Sequence, residues 1–299
     1  MLKFIKKWAL PLAMIIGILC YKWIGYLAFL TPYLLFVMIF VTFCKLSPKE
    51  MRPHKAHIWL LIIQLLGAVL VYYIFRSFDP IVAQGALICV LAPTATSAAV
   101  VTGMLGGSVA FLTSYLLFSN IAVAICAPVI FSLLGDYSNM PFHDSFFYIC
   151  HTVAPLLLLP LLLAWIVRYT IPKVHKNILR IQSLSFYLWA LALTIVTGKT
   201  VKFLFEQENP NYKIEIGCAL VALVICGGQF LIGRRIGKRY GDAVSSGQGL
   251  GQKNTILAIW MAQTYLDPIS SVAPAAYVLW QNIVNSTQLW LKNKKDKKK

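Results

Sequence analysis

Ten apolar stretches, each near the roughly 20 residues that a bilayer core demands of a helix, constrain this chain more than any other feature. They run at 8–23, 26–44, 57–76, 80–105, 108–135, 146–171, 182–205, 213–233, 237–265 and 268–291. The fourth and ninth are broken at mid-span by Ala92-Pro93-Thr94-Ala95-Thr96-Ser97 and by Ser245-Ser246-Gly247-Gln248-Gly249-Leu250-Gly251-Gln252-Lys253-Asn254. At 59% hydrophobic and 12% charged, the chain must use lipid as solvent rather than fold as a soluble domain. Unwound backbone is tolerated inside a bilayer only where protein or a watery cavity satisfies it, so a matched pair of breaks predicts a transport site.

Charge follows the spans. The 27 Lys and Arg outnumber the 10 Asp and Glu and gather in short loops and at the two ends. Lys3, Lys6 and Lys7 precede span one, and Lys45, Lys49, Arg52 and Lys55 follow span two. Lys173, Lys176 and Arg180 follow span six, Arg234, Arg235, Lys238 and Arg239 follow span eight, and a basic tail, residues 292–299, ends the chain. All fall on one side if there are ten crossings, with Asp79, Asp136, Asp144, Glu206, Glu208 and Asp267 opposite. The positive-inside rule then predicts a multi-pass protein of the plasma or inner membrane with both termini cytoplasmic. No aromatic residues interleave the basic runs, so nucleic acid is not expected as a partner. Span one is read as a helix rather than a signal peptide, since no A-x-A site follows Cys20.

Ten spans with breaks in the fourth and ninth divide as five plus five. Because five is odd, the second half enters from the opposite side, which predicts an all-α inverted repeat of residues 1–139 and 140–299, the arrangement underlying alternating access. The seven cysteines lie in apolar stretches and are expected to be small buried hydrophobes, with no metal and no cofactor. No HExxH motif and no nucleophile beside a base occurs in sequence, so an intramembrane enzyme is not expected. His54, His57, His143 and His175 read as solvated loop residues, and His151 lies near the start of span six. Gln64 and Gln84 either line the cavity or bond across helices.

The broken segments carry a resemblance. Leu91-Ala92-Pro93-Thr94-Ala95-Thr96-Ser97-Ala98-Ala99-Val100-Val101-Thr102, followed by Gly107-Ser108-Val109-Ala110 and Ala127-Pro128, resembles the fourth and fifth helices of the bile acid:sodium symporter family. There, P-G-G-T-A-S-N-V-x-T leads into G-N/D-V-A-L-S. Gly251-Gln252-Lys253-Asn254-Thr255-Ile256-Leu257-Ala258, with Pro274-Ala275-Ala276-Tyr277, resembles the ninth helix, where E-x-G-x-Q-N-x-x-L-A is typical. The resemblance implies that helices four and nine cross within a core domain that moves against a smaller panel domain. It also implies an organic anion substrate, such as a bile acid, a pantoate-like acid or a 2-oxo acid, carried with two sodium ions behind the crossing.

This sequence departs from that pattern where sodium would bind. Gly249 stands where the family has its sodium-binding Glu, and Lys253 where it has the Gln. Ala98 and Ala99 replace Ser and Asn, and Leu112 and Leu116 replace the hydroxyl ligands of helix five. The usual sodium sites are therefore not expected to form. Lys253 at membrane depth should have a partner, since a buried lysine costs about 2.5–3.5 kcal/mol even on the permissive insertion scale. As a tethered cation it would take carbonyls near Pro93 together with Gln248, Thr96 and Ser97, with Gln252 beside it. Two other readings stay open: Lys253 snorkels toward the cytosolic face, or it is a direct counter-ion for the substrate. Thr94, Thr96, Ser97, Asn254 and Thr255, at half-helix N-termini, are the substrate-binding candidates. The function expected is secondary transport of an organic anion without the two sodium sites, with coupling to protons through the Lys253 amine or with no coupling ion. The alternatives are a sodium symporter with relocated sites, a channel, and a transport-inactive sensor.

Overall fold

The computed structural model describes residues 2–46, 52–135, 141–181, 184–206 and 210–296. Lys49, Asp136, Glu208 and Lys297 to Lys299 lie outside the described residues, as do the side chains of Lys3, Lys6, Lys7, Trp8, Asn293, Lys295 and Asp296. The described chain is helical: α1 (Leu2–Leu19), α2 (Tyr21–Ile24), a 3₁₀ turn (Gly25–Leu30), α3 (Thr31–Phe43), α4 (Lys55–Arg76), α5 (Pro80–Leu91), α6 (Ala98–Leu105) and α7 (Val109–Leu134). There follow α8 (Phe142–Thr170), α9 (Pro172–Arg180), α10 (Leu184–Phe205), α11 (Tyr212–Arg239), α12 (Ala243–Gly251), α13 (Thr255–Tyr265) and α14 (Val272–Asp296), the last entered by a 3₁₀ turn at Pro268–Ser271.

Six helical stretches among the described residues are long and apolar enough to cross a bilayer: Tyr21–Phe43, Lys55–Arg76, Val109–Leu134, Phe142–Thr170, Phe186–Phe205 and Tyr212–Arg239. This is a multi-pass membrane protein. Large apolar side chains such as Trp23, Phe29, Leu66 and Phe78 face outward, as a lipid solvent requires. Lipid gives helices no hydrophobic reason to associate, so close packing carries the cohesion. Gly233 and Gly237 of α11 supply it against α12: a Cβ on Gly233 would meet the Ser246 carbonyl at 2.5 Å, and one on Gly237 would meet that of Asp242.

The helices pack in two groups, each drawing on both halves of the chain. In one, α10 lies against α1, α2 and α3, and α3 against α8; in the other, α11 packs against α12, α14 and α5, with α4 and α7 alongside. The groups meet through α7 on α8, α10 on α13, and α3 on α13.

Three sequence expectations change. Residues 172–180 form the short helix α9 instead of a loop. His57 is not a solvated loop residue: it is 2% exposed, because α4 starts at Lys55 and carries the imidazole inward against the rings of Phe111, Tyr115 and Phe118. His54 and His143 are exposed, while half-buried His175 bonds the Cys44 carbonyl. Nor are the cysteines uniformly buried, since Cys20 is exposed and Cys126 and Cys150 are half-buried on the lipid-contacting bundle.

Candidate functional site

Both breaks arise from local chemistry. α5 begins with Asp79 capping the backbone N–H groups of Ile81 and Val82 and with Pro80 in its first turn, and it stops at Ala92 because the residue before a proline is driven to extended backbone. α12 is capped by Asp242, whose carboxylate accepts from Ser245 N at 2.9 Å, and it ends at Gln252 in extended conformation. Asn254 caps α13, its Oδ1 accepting from Leu257 N at 3.3 Å.

The two unwound segments pair with each other. Ala95 N donates to Gln252 O at 2.9 Å and Asn254 N to Pro93 O at 2.8 Å, forming an antiparallel bridge between Thr94 and Lys253. Each break thus satisfies the other's backbone in place of water.

The last carbonyls of α5, which a helix end leaves without internal partners, are taken by long side chains from α4, α11 and the second break. Gln229 Nε2 donates to Cys89 O at 3.1 Å, Lys253 Nζ to Val90 O at 2.8 Å, and Gln64 Nε2 to Leu91 O and Ala92 O at 2.9 and 3.0 Å. The Gln64 Oε1 accepts from the Tyr115 hydroxyl at 2.8 Å and from the Ser119 hydroxyl at 2.9 Å, which saturates the amide. Ser119 Oγ in turn accepts from Thr94 N at 3.2 Å. The end of α12 is treated likewise, with Thr94 Oγ1 donating to Gly249 O and Tyr277 OH to Gly251 O, both at 2.7 Å.

Lys253 is 1% exposed, so its stem does not snorkel to either surface. Its amine lies at the C-terminal, negative end of the α5 dipole, where a cation is favoured. Its backbone N–H is held by Gln281 Oε1 at 3.0 Å. Of the acceptors expected for its amine, only the α5 carbonyl appears. Gln248 is turned away and donates to Asn285 Oδ1 and Gln288 Oε1 at 2.9 and 3.1 Å, because α14 offers amide oxygens on that side. Ser97 Oγ instead accepts from Gln252 Nε2 at 2.8 Å.

The residues expected at the substrate site gather around the bridge in different states. Thr96 and Asn254 are half-buried and Ser97 is exposed, at the N-terminal ends of α6 and α13, while Thr255 is buried. Thr94 is buried with its hydroxyl already committed to Gly249 O. Gln252 Oε1 is buried with no hydrogen-bond partner.

At the positions where oxygen ligands are missing from the sequence, the structure fills space with carbon. Ala98, Leu112 and Leu116 are buried and Ala99 is half-buried. A Cβ on Gly249 would meet Tyr115 Cδ1 at 2.7 Å and Cε1 at 3.2 Å, so the tyrosine ring occupies the room that a side chain at 249 would need. No group of three or more His, Cys, Asp or Glu positioned for a metal occurs among the described residues. Of the two roles open to Gln64 and Gln84, bonding across helices is the one they take, but nothing in the sequence named Tyr115 and Ser119 as the partners of Gln64.

The sodium bile acid symporter family matches residues 32–207, more than half of the chain and the whole of the first break. The chain belongs to this family. No curated protein matches it. Members of this family are membrane transporters rather than enzymes. The second break, with Lys253, lies beyond the matched residues.

Proposed function

We propose that this protein is a secondary carrier of an organic anion that works by alternating access without the family's two sodium ions, with Lys253 as a built-in cation. The observation that carries the proposal is the 2.8 Å bond from Lys253 Nζ to Val90 O behind the bridge, at a side chain closed to solvent. A mobile ion behind a crossing neutralises helix-end carbonyls; an ammonium on a tether does the same and cannot leave. The carbonyls at the end of α5, from Cys89 to Ala92, all have protein donors, which supports this reading.

In this proposal ten crossings form two inverted halves, residues 1–139 and 140–299, with both termini cytoplasmic, and the α10-centred helix group moves as a panel against the group that holds the breaks. The anion, of bile acid, pantoate or 2-oxo acid type, binds where the N-termini of α6 and α13 converge. Thr96, Ser97, Asn254 and Thr255 contact it there, and Thr94 supports the site through the α12 carbonyl. Gln252, with one amide atom on Ser97 and the other unpartnered, adds an acceptor for a substrate donor.

Uptake of radiolabelled organic anions into proteoliposomes, with sodium outside and with choline outside, tests the proposal. Accumulation at equal rates in both supports it. A sodium requirement points to relocated ion sites, and binding without uptake points to a sensor.

A further inference from the structure

α9 is a nine-residue helix with two chemically distinct faces. Lys173, Lys176, Asn177 and Arg180 are spaced i, i+3, i+4, i+7 and share one side, while Val174 and Ile178, at i and i+4, share the opposite side, with Ile171 and Ile181 flanking the two ends of the helix. The chain leaves α8 at Thr170 and re-enters a long apolar helix at Leu184, so α9 is held at the level where two membrane helices end.

Two contacts fix its orientation. Ile178 packs against the hydrophobic core, and His175 Nε2 donates to the carbonyl of Cys44, the C-cap residue of α3, at 2.8 Å. These pin the apolar face to the bundle and leave apolar side chains around it open: Ile171, Val174, Leu179 and Ile181 are 38 to 50% exposed. In water that would be a poor surface. At the border of a bilayer the same side chains reach hydrocarbon, while the basic side meets headgroups.

We propose that α9 lies in the membrane interface and binds acidic phospholipid headgroups through Lys173, Lys176 and Arg180. Charge complementarity selects the partner. Three basic side chains lie on one face, and among the described residues α9 carries no acidic side chain to neutralise them. Arg168, one turn from the end of α8, adds a fourth positive group at the same level. The lipid would thereby hold the α8–α10 connection, and with it the end of α3, at a fixed depth.

The experiment titrates phosphatidylglycerol or phosphatidylcholine into the full-length protein in detergent and follows the thermal midpoint. Phosphatidylglycerol should raise the midpoint and phosphatidylcholine should not. Lys173→Gln/Lys176→Gln/Arg180→Gln should move half-saturation to about a hundredfold more phosphatidylglycerol, at roughly fivefold per charge. Lys297→Gln/Lys298→Gln/Lys299→Gln should leave it unchanged. An undiminished preference in the α9 variant, or equal effects of the two lipids on the native protein, overturns the proposal. If the triple variant does not fold, nitroxide labels at Val174→Cys and Lys176→Cys, in a chain without the native cysteines and reconstituted in vesicles, decide. Val174 must be reached by oxygen in the hydrocarbon and Lys176 by an aqueous nickel chelate; the reverse pattern overturns it.

Discussion

Thr94 and Lys253 stand opposite each other in an antiparallel bridge that joins the two helix breaks, and each sends its side chain into the helix end on the other side. Thr94 Oγ1 reaches Gly249 O of α12 at 2.7 Å, and Lys253 Nζ reaches Val90 O of α5 at 2.8 Å. The exchange is reciprocal in form but unequal in chemistry, since one donor is a hydroxyl and the other an amine that can carry a positive charge. That inequality underlies the proposal that this carrier has replaced a mobile ion by part of itself.

Lys253→Met removes the donor and leaves Val90 O buried without it, at a cost of about 1–3 kcal/mol. Lys253→Gln keeps an amide donor on a shorter stem and should fall between Met and the native protein. Thermal midpoints of the three proteins check the order. Neither variant should acquire a strong sodium requirement for ligand binding, because the carboxylate missing at Gly249 is not restored.

Gly249→Ala should be destabilising by about 1–3 kcal/mol, because its Cβ would stand 2.7 Å from Tyr115 Cδ1. Tyr115→Leu also costs stability, by removing the hydroxyl bonded to Gln64, but it opens the room that a methyl group at position 249 needs. The double variant should therefore lose about 1 kcal/mol less than the sum of the single losses. A double-mutant cycle from chemical or thermal unfolding measures the coupling, and strict additivity would contradict the packing argument.

Gln64→Leu strips the donors from Leu91 O and Ala92 O and the acceptor from Tyr115 and Ser119, so a loss of about 3 kcal/mol or failure to fold is expected. Gln84→Leu, which removes one bond to Asp267 N, should cost about 1 kcal/mol. Thermal midpoints in detergent compare the two. A similar cost for both would mean that the Gln64 node does not hold the first break.

Much of this site was legible in the sequence, because proline, glycine and one lysine inside apolar stretches have few physical explanations. Pro93 and the glycines after Ser246 marked the breaks, and Lys253 implied a carbonyl partner from the half-helix before Pro93. Which carbonyl, and which side chains would be drawn elsewhere, depended on neighbours that periodicity does not reveal: Gln248 is turned toward α14 by Asn285 and Gln288. Nothing in the sequence around Tyr115 marks its ring as the one that fills the space beside Gly249. His57 was misread because its helix starts at Lys55, and a start two residues earlier than expected turns an apparent loop imidazole into a buried one. α9 was hidden because an interfacial helix has the basic composition of a cytosolic loop.

Topology is checked with single cysteines in a cysteine-free chain. His143 and Lys55 are both exposed. His143→Cys should react with a membrane-impermeant maleimide added to the outside of intact cells, and Lys55→Cys only after the membrane is opened. The opposite pattern would overturn the cytoplasmic placement of the termini, and labelling of both from the same side would overturn the inverted repeat.

If Lys253 stands in for sodium, the ligand-free protein has no site left for the ion. The thermal midpoint of the ligand-free protein is measured in sodium chloride and in choline chloride at equal ionic strength, over a wide concentration range. An ion that binds the folded state at a hundred times its Kd would stabilise it by about 2.7 kcal/mol. The same midpoint is expected in both salts at every concentration; a saturable rise specific to sodium in the native protein would mean that Lys253 has not replaced the ion.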